Sequence, residues 1–252
     1  MFPRKKNKRS VLPTVRRTAG QSLREEWDRT INDNLPLIVF GPMMLWFLCL
    51  VKWIEQTNGA LTLRFWISFA IAGTGLAVIA YLRLMPKARS LVRGEKGELK
   101  VAEALEDLRP AGYRAFHDLR REGFNIDHVL VGPAGVFAIE TKFRSGFGEI
   151  EFRNGEGLFV GGQPDDKDCL KQARGNAGEI GRMIKQDCGL NRWVTPLVVF
   201  VGDWKVKNRW QNTDARVFTA DQLADYLRRQ QPELTKREIE LISSHLERSA
   251  KC

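Results

Sequence analysis

The chain has 252 residues, 43% hydrophobic, 10% aromatic and 28% charged, which excludes a disordered tail, a collagen-like chain or a disulfide-stapled miniprotein. Its formal net charge of +10 is unevenly spread: residues 1–34 hold nine Lys/Arg against four Asp/Glu, residues 35–89 five against one, and residues 90–252 hold 26 against 25. The last part is nearly neutral, so the net charge is no evidence that it binds phosphate.

The basic leader, residues 1–34, carries Arg4, Lys5, Lys6, Lys8, Arg9, Arg16, Arg17, Arg24 and Arg29. Two uncharged apolar runs follow, Leu35–Val51 and Phe65–Leu82. Each has about the 17–20 residues needed to cross a roughly 30 Å hydrocarbon layer. They predict a transmembrane helical hairpin over residues 35–85, with spans near 35–54 and 62–84. The leader is too long for a cleavable signal peptide, and no small-residue cleavage site follows the first run. Arg83, Lys87, Arg89 and Arg93 follow the second run, whereas the connecting loop has only Lys52 and Arg64 at its edges. The positive-inside rule then predicts a multi-pass inner (plasma) membrane protein with both termini in the cytoplasm. Gly73 and Ala77, four apart, offer a seat for a partner helix, in a homo-oligomer or with another membrane partner. Pro42 is an expected kink, and Pro86 is expected to end the second span. Cys49, Cys169, Cys188 and Cys252 show no paired spacing, which fits reduced thiols better than a zinc site or disulfides.

A separate domain is expected over residues 90–230, with 231–252 as a C-terminal helix. Val101, Ala104, Leu105 and Leu108 recur at helical spacing and predict a helix over Glu95–Leu108, stopped by Pro110 and Gly112. Strands are predicted at Tyr113–His117, Asn125–Val131 and Val136–Lys142, the last two joined by Gly132-Pro133-Ala134-Gly135, a hairpin signal. Further strands are expected at Gly148–Arg153 and Leu158–Gly161, then a helix near Lys167–Lys185. Thr195–Val201 reads as a strand buried on both faces. Arg216–Phe218 reads as a last strand, before helices near Asp221–Arg229 and Thr235–Arg248. That order predicts a sheet covered by helices.

The hairpin carries the chemistry. With Val131 facing Val136, Asp127 falls opposite Glu140, and alternation groups Asp127 with Val129 and Val131, and Glu140 with Val136, Ala138 and Lys142. Two opposed carboxylates at the rim of a core are costly unless a cation or a proton offsets them. Lys142 offsets one as a plain ion pair at a strand end; a hard divalent cation such as Mg2+ suits the pair better. Glu98, three residues before Val101 and seven before Leu105, stands on the apolar stripe of its helix, where a bond to a lysine or a helix cap is the plain alternative.

Asp127, Glu140-Thr141-Lys142 and the preceding Glu98 resemble the PD-(D/E)xK nuclease superfamily. More specifically, Arg93-Gly94-Glu95-Lys96-Gly97-Glu98, Asn125–Pro133 and Gly135–Lys142 look like the nuclease-related domain (NERD) family, over about Ser90–Phe200. The resemblance implies an α/β, restriction-endonuclease-like αβββαβ core, a mixed sheet flanked by helices, here preceded by the transmembrane hairpin. It implies Asp127 and Glu140 as Mg2+ ligands (Mn2+ as a substitute), with the Thr141 carbonyl contributing and Glu98 holding a metal-bound water or a second ion. Lys142 would orient the attacking water, and Gln172 falls where related nucleases carry an auxiliary glutamine; Asn176 follows it by one turn. The plain alternative for both is ordinary helix surface. Ile126 stands where the superfamily name has proline. His128 is expected to pack rather than to catalyse.

The implied activity is a Mg2+-dependent (endo)deoxyribonuclease anchored to the lipid bilayer. Arg144, Lys171, Arg174, Lys205, Lys207 and Arg209 are the expected contacts to DNA, with Trp204 and Trp210 either stacking on bases or capping the sheet. The rival expectation is a catalytically silent, membrane-tethered nucleic-acid-binding or scaffold module with a nuclease fold.

Overall fold

The computed structural model describes residues 17–54, 59–153, 157–165, 168–207 and 214–249. Residues 1–16 of the basic leader, together with Arg209, Trp210 and Cys252, lie outside the described residues. The chain forms two compact units, Gly20–Lys96 and, with the stretch ending at Ala19, Gly97–Cys252.

The first unit is built from α1 (Gln21–Ile54) and the larger part of α2 (Gly59–Glu106). Their most apolar 18-residue windows have mean hydropathies of 2.0 and 1.9, and only 6% of each window is buried. A core helix of a soluble domain would hide such a surface; these two are long and apolar enough to cross a membrane. Trp46 donates its Nε1–H to Thr74 Oγ1 across the pair at 3.0 Å. A Cβ at Gly73 would strike Leu45, so this glycine already serves the contact between α1 and α2. The helices exceed the expected spans: α1 begins at Gln21, well before Leu35, and α2 runs through Pro86 to Glu106 instead of ending there. A proline inside a helix removes one backbone bond and costs about 3 kcal/mol, which the remaining bonds of a 48-residue helix outweigh. Salt bridges Arg24–Glu95 and Lys87–Glu26 tie the start of α1 to the end of this unit's part of α2.

The second unit is mixed α/β. After α2 and a 3-10 turn come β1 (Arg114–Arg121), β2 (Phe124–Gly132), β3 (Gly135–Arg153), β4 (Gly157–Val160) and β5 (Gln163–Pro164). Then follow α3 (Cys169–Cys188), β6 (Val194–Val206), β7 (Arg216–Thr219), α4 (Ala220–Arg228) and α5 (Lys236–Ser249). Among the described residues these strands form one seven-stranded sheet, antiparallel from β1 to β5, with β6 parallel to β3 and β7 parallel to β6. The expected αβββαβ order is thus present, with the short strands β4 and β5 added between β3 and α3 and with β7, α4 and α5 after β6. The two strands expected on either side of Gly146 are one long strand, β3, interrupted by a register shift between Phe143 and Phe147.

Alternation along β3 sorts the core onto two faces. Phe137 and Ile139 pack with Val101 and Leu105 of α2, with Leu108 in the turn after it, and with Leu223 and Leu227 of α4. Val136 and Ala138 pack with Ala177, Ile180 and Ile184 of α3 and Ile239 and Ile242 of α5. Glu140 and Lys142 continue this second series, under α3. The helix is set by its apolar positions three and four apart, by Asp168 at its start, which accepts from the Lys171 amide at 3.2 Å, and by Gly189 (φ 68°) at its end.

Candidate active site

The β2–β3 hairpin places the site. Its turn is tight: Gly132 pairs with Gly135 and Val131 with Val136, as the apolar pattern requires. The ladder ends at His128–Ile139, so the expected rung between Asp127 and Glu140 is not formed. Instead the Thr141 amide donates to Asp127 Oδ2 at 2.7 Å. The side chain of Asp127 has taken a backbone donor on β3 where the two strands part.

Asp127 also departs from simple alternation. Ile126 and Val129, three apart, join the same core cluster, as do Phe116 and Leu119 on β1. Residues three apart on a regular strand face opposite ways, so both strands turn over between these positions.

Glu140 is buried at 2% exposure. Its Oε1 accepts from Lys142 Nζ at 2.6 Å and its Oε2 from Asn176 Nδ2 at 2.9 Å. Lys142 Nζ also donates to Gln172 Oε1 at 2.9 Å. Gln172 and Asn176, one turn apart on α3, thus reach the lysine and the acid respectively, and neither is idle helix surface. The chemical part of Asn176 escaped the sequence because an amide on a helix flank looks the same whether it meets solvent or a buried carboxylate.

Glu98 is buried on α2. Gly97, next to it, lets the helix backbone approach β3: a Cβ there would lie 3.2 Å from Phe143 Cβ and 3.6 Å from Thr141 Cγ2. The electrostatics register this assembly. Burial, then the charge of Glu140, then that of Glu98, push the Asp127 carboxyl well above its ordinary range, against the Thr141 amide and Lys142. Burial also raises Glu140, opposed by Lys142 and Asn176. Asp127, with its bond to Thr141, and Glu140, Lys142 and Gln172 are therefore brought together, while Glu98 acts on Asp127 through its charge.

Among the described residues, no three His, Cys, Asp or Glu side chains are gathered closely enough to form a ready metal centre. The donor set still suits a hard divalent cation. A carboxylate has about four lone-pair positions, of which Asp127 spends one on Thr141 and Glu140 two on its partners. Burial first, and then the charges of Glu140 and Glu98, disfavour the ionised form of Asp127, and a bound cation would favour it.

The remaining expectations fall out by geometry. His128 is fully buried and faces His117, Nδ1 to Nδ1 at 2.8 Å, so it packs away from the acids. Trp204 donates to the Arg144 carbonyl at 3.0 Å and lies against Gly148 and Gly161; it caps the sheet. Arg144, Arg174 and Lys207 are paired with Asp165, Asp214 and Glu149, whereas Lys171 and Lys205 are exposed. Burial pushes the Cys169 thiol upward, which leaves it a poor nucleophile.

Residues 93–201 match the family model described as nuclease-related domain, NERD. No curated protein and no solved structure matches the chain.

Proposed function

We propose that the nuclease-related domain at residues 93–201 hydrolyses phosphodiester bonds, with DNA as substrate and Mg2+ as cofactor, while the two apolar helices anchor it to the inner membrane with both termini in the cytoplasm. The observation that carries this reading is the placement of two carboxylates side by side, Asp127 bonded to the Thr141 amide at 2.7 Å next to buried Glu140, whose Oε1 accepts from Lys142 Nζ at 2.6 Å. Such a cluster is stabilised by a cation.

Asp127, Glu140 and the Thr141 carbonyl would hold the ion, with Glu98 holding a bound water or a second ion. A divalent cation at such a site polarises a phosphoryl oxygen and makes a bound water more acidic. The chain's own residues do the rest. Lys142, fixed between Glu140 and Gln172, presents its ammonium where negative charge develops and where a water must be oriented. Asn176 keeps Glu140 from turning away. The Thr141 amide holds Asp127 in place. Nucleic acid would be gripped by local residues such as Lys171 and Lys205, since the domain lacks a strong net charge.

The silent binding module draws support from Glu140, both of whose oxygens already have protein partners. The full chain in detergent micelles, assayed on single-stranded DNA, duplex DNA and RNA with Mg2+, Mn2+ or EDTA, separates the two. Metal-dependent cleavage of DNA that disappears in Glu140→Ala supports the nuclease. Cleavage that survives both Glu140→Ala and Lys142→Ala refutes the site, and a wild-type chain inert on every substrate favours the binding module.

A further inference from the structure

Neither ladder of β2 holds Asp127. The β2–β3 ladder stops one residue short of it. On the other side, β1 and β2 pair His117 with His128 and Leu119 with Ile126, and the rung between, Asp118 with Asp127, is not made. The register is the same before and after, so no residue has been inserted. The ribbon turns over at this rung, which is why Phe116 and Leu119, and Ile126 and Val129, share a core cluster.

Asp118 is where the turnover is made. It has φ 51°, one of two non-glycine residues with positive φ among those described, in the interior of a strand. A left-handed residue of this kind is held only when its surroundings over-determine it. Its surroundings do: the side chain is 2% exposed, and Oδ2 accepts from Arg17 Nε at 2.9 Å and from Nη2 at 2.6 Å. A buried carboxylate is strongly dependent on such a partner. Arg17 belongs to the leader, four residues before α1 begins at Gln21, where a topogenic charge alone would not need a buried acid.

We infer that Asp118, locked in its left-handed conformation by Arg17, is a positioning residue that sets where Asp127 stands in the site. The inference rests on the reading of Asp127 as a site acid, and it ties the segment leading into the first membrane helix to that acid. Asparagine tolerates the left-handed region and still offers an oxygen to Arg17; alanine does neither. The nearest reporter is the Thr141 amide, which is bonded to Asp127 and whose hydrogen exchange can be followed whether or not the protein cleaves anything.

The test compares wild type, Asp118→Asn, Asp118→Ala and Arg17→Ala as full chains in micelles. Exchange is measured by mass spectrometry on peptides covering Thr141, alongside Mn2+ binding, kcat and KM, and thermal melting. Asp118→Ala and Arg17→Ala are expected to speed Thr141 exchange tenfold or more, and to lower Mn2+ affinity and kcat tenfold with KM for DNA unchanged. Asp118→Asn is expected to stay within threefold of wild type in each. Thr141 exchange unchanged in Asp118→Ala overturns the inference, as does equal loss in the alanine and asparagine variants accompanied by a general fall in protection across the sheet. A wild-type chain that cleaves nothing, with Thr141 exchange still following the pattern above, removes the nuclease reading and leaves the positioning role standing.

Discussion

The two ends of the β2–β3 hairpin are made of the same strands and do opposite things. At the turn end every rung from His128–Ile139 to Gly132–Gly135 is closed, the flanking side chains are buried, and the Tyr113 ring lies over Gly132 with its hydroxyl on the Leu227 carbonyl at 3.1 Å. A cavity of about 730 Å3 beside it, lined in part by Tyr113 and Pro133, includes none of the site acids. At the open end the ladder is abandoned, and side chains bond to backbone and to each other. The closed end stores stability; the open end spends backbone regularity to hold like charges close together, as functional sites commonly do.

Substitutions that separate the two ends show it. The largest effect is expected at the open end: Glu140→Ala or Lys142→Ala should lower kcat on DNA per folded molecule by about 10²–10³-fold or more, and Lys142→Ala should also lower the melting temperature, because it leaves buried Glu140 without its cation. A steady-state assay beside a melting curve reads both, and a loss of activity that only tracks unfolding would count against the assignment of roles.

Gly132→Ala is the converse. A Cβ at that position would clash with Tyr113 Cδ1, and overpacking of this sort costs roughly 1–3 kcal/mol. Chemical denaturation should show the loss, whereas kcat per folded molecule should stay at the wild-type level. A kcat that drops together with stability would mean that the two ends are not independent.

The closed end was legible in the sequence and the open end only in part. Alternating valines, the Gly-Pro-Ala-Gly turn and the apolar stripe of α3 fix register and faces, because burial of a period-two or period-3.6 pattern leaves few options. The identities of Asp127, Glu140, Lys142 and Glu98 could be picked out by type and spacing. Their mutual geometry could not: Asp127 does not face Glu140 across a rung but bonds to the Thr141 amide, an outcome decided by a side chain competing with the backbone. Asp118 and Arg17 carried no signal, since a left-handed residue in a strand and an ion pair spanning 101 positions have no local periodicity. The passage of α2 through Pro86 escaped for a related reason: a local breaker was overruled by the length of helix around it.

A third variant turns the open end against itself. The Asp127 carboxyl is raised by burial and by Glu140 and Glu98. An acid raised in the folded state favours folding below its unfolded pKa and loses that contribution as pH rises through the folded value. The metal-free chain at neutral pH therefore carries a cost that Asp127→Asn lacks, since asparagine keeps an oxygen for the Thr141 amide and has no charge. This variant should be inactive with Mg2+ present, and in EDTA at pH 7 it should be more stable than wild type by roughly 0.5–2 kcal/mol, an advantage that should shrink as pH falls towards about 4. A variant less stable than wild type at pH 7 would show that the site carries no surplus negative charge.

The smallest effect is expected at the outer edge of the open end, from Gln172→Ala. Gln172 is exposed and its only described bond to the site is the one from Lys142, whereas Asn176 is buried against Glu140. A hydrogen bond at an exposed edge competes with water and contributes about 0.5–1.5 kcal/mol, which predicts a fall in kcat of about threefold to tenfold. Lys142 keeps its bond to Glu140 at 2.6 Å, so the ammonium stays near its place and only its second tether is lost. If Gln172 instead steadies DNA, KM rises and kcat does not. The split between the two constants therefore reports which partner this amide serves, the lysine beside it or the substrate above it.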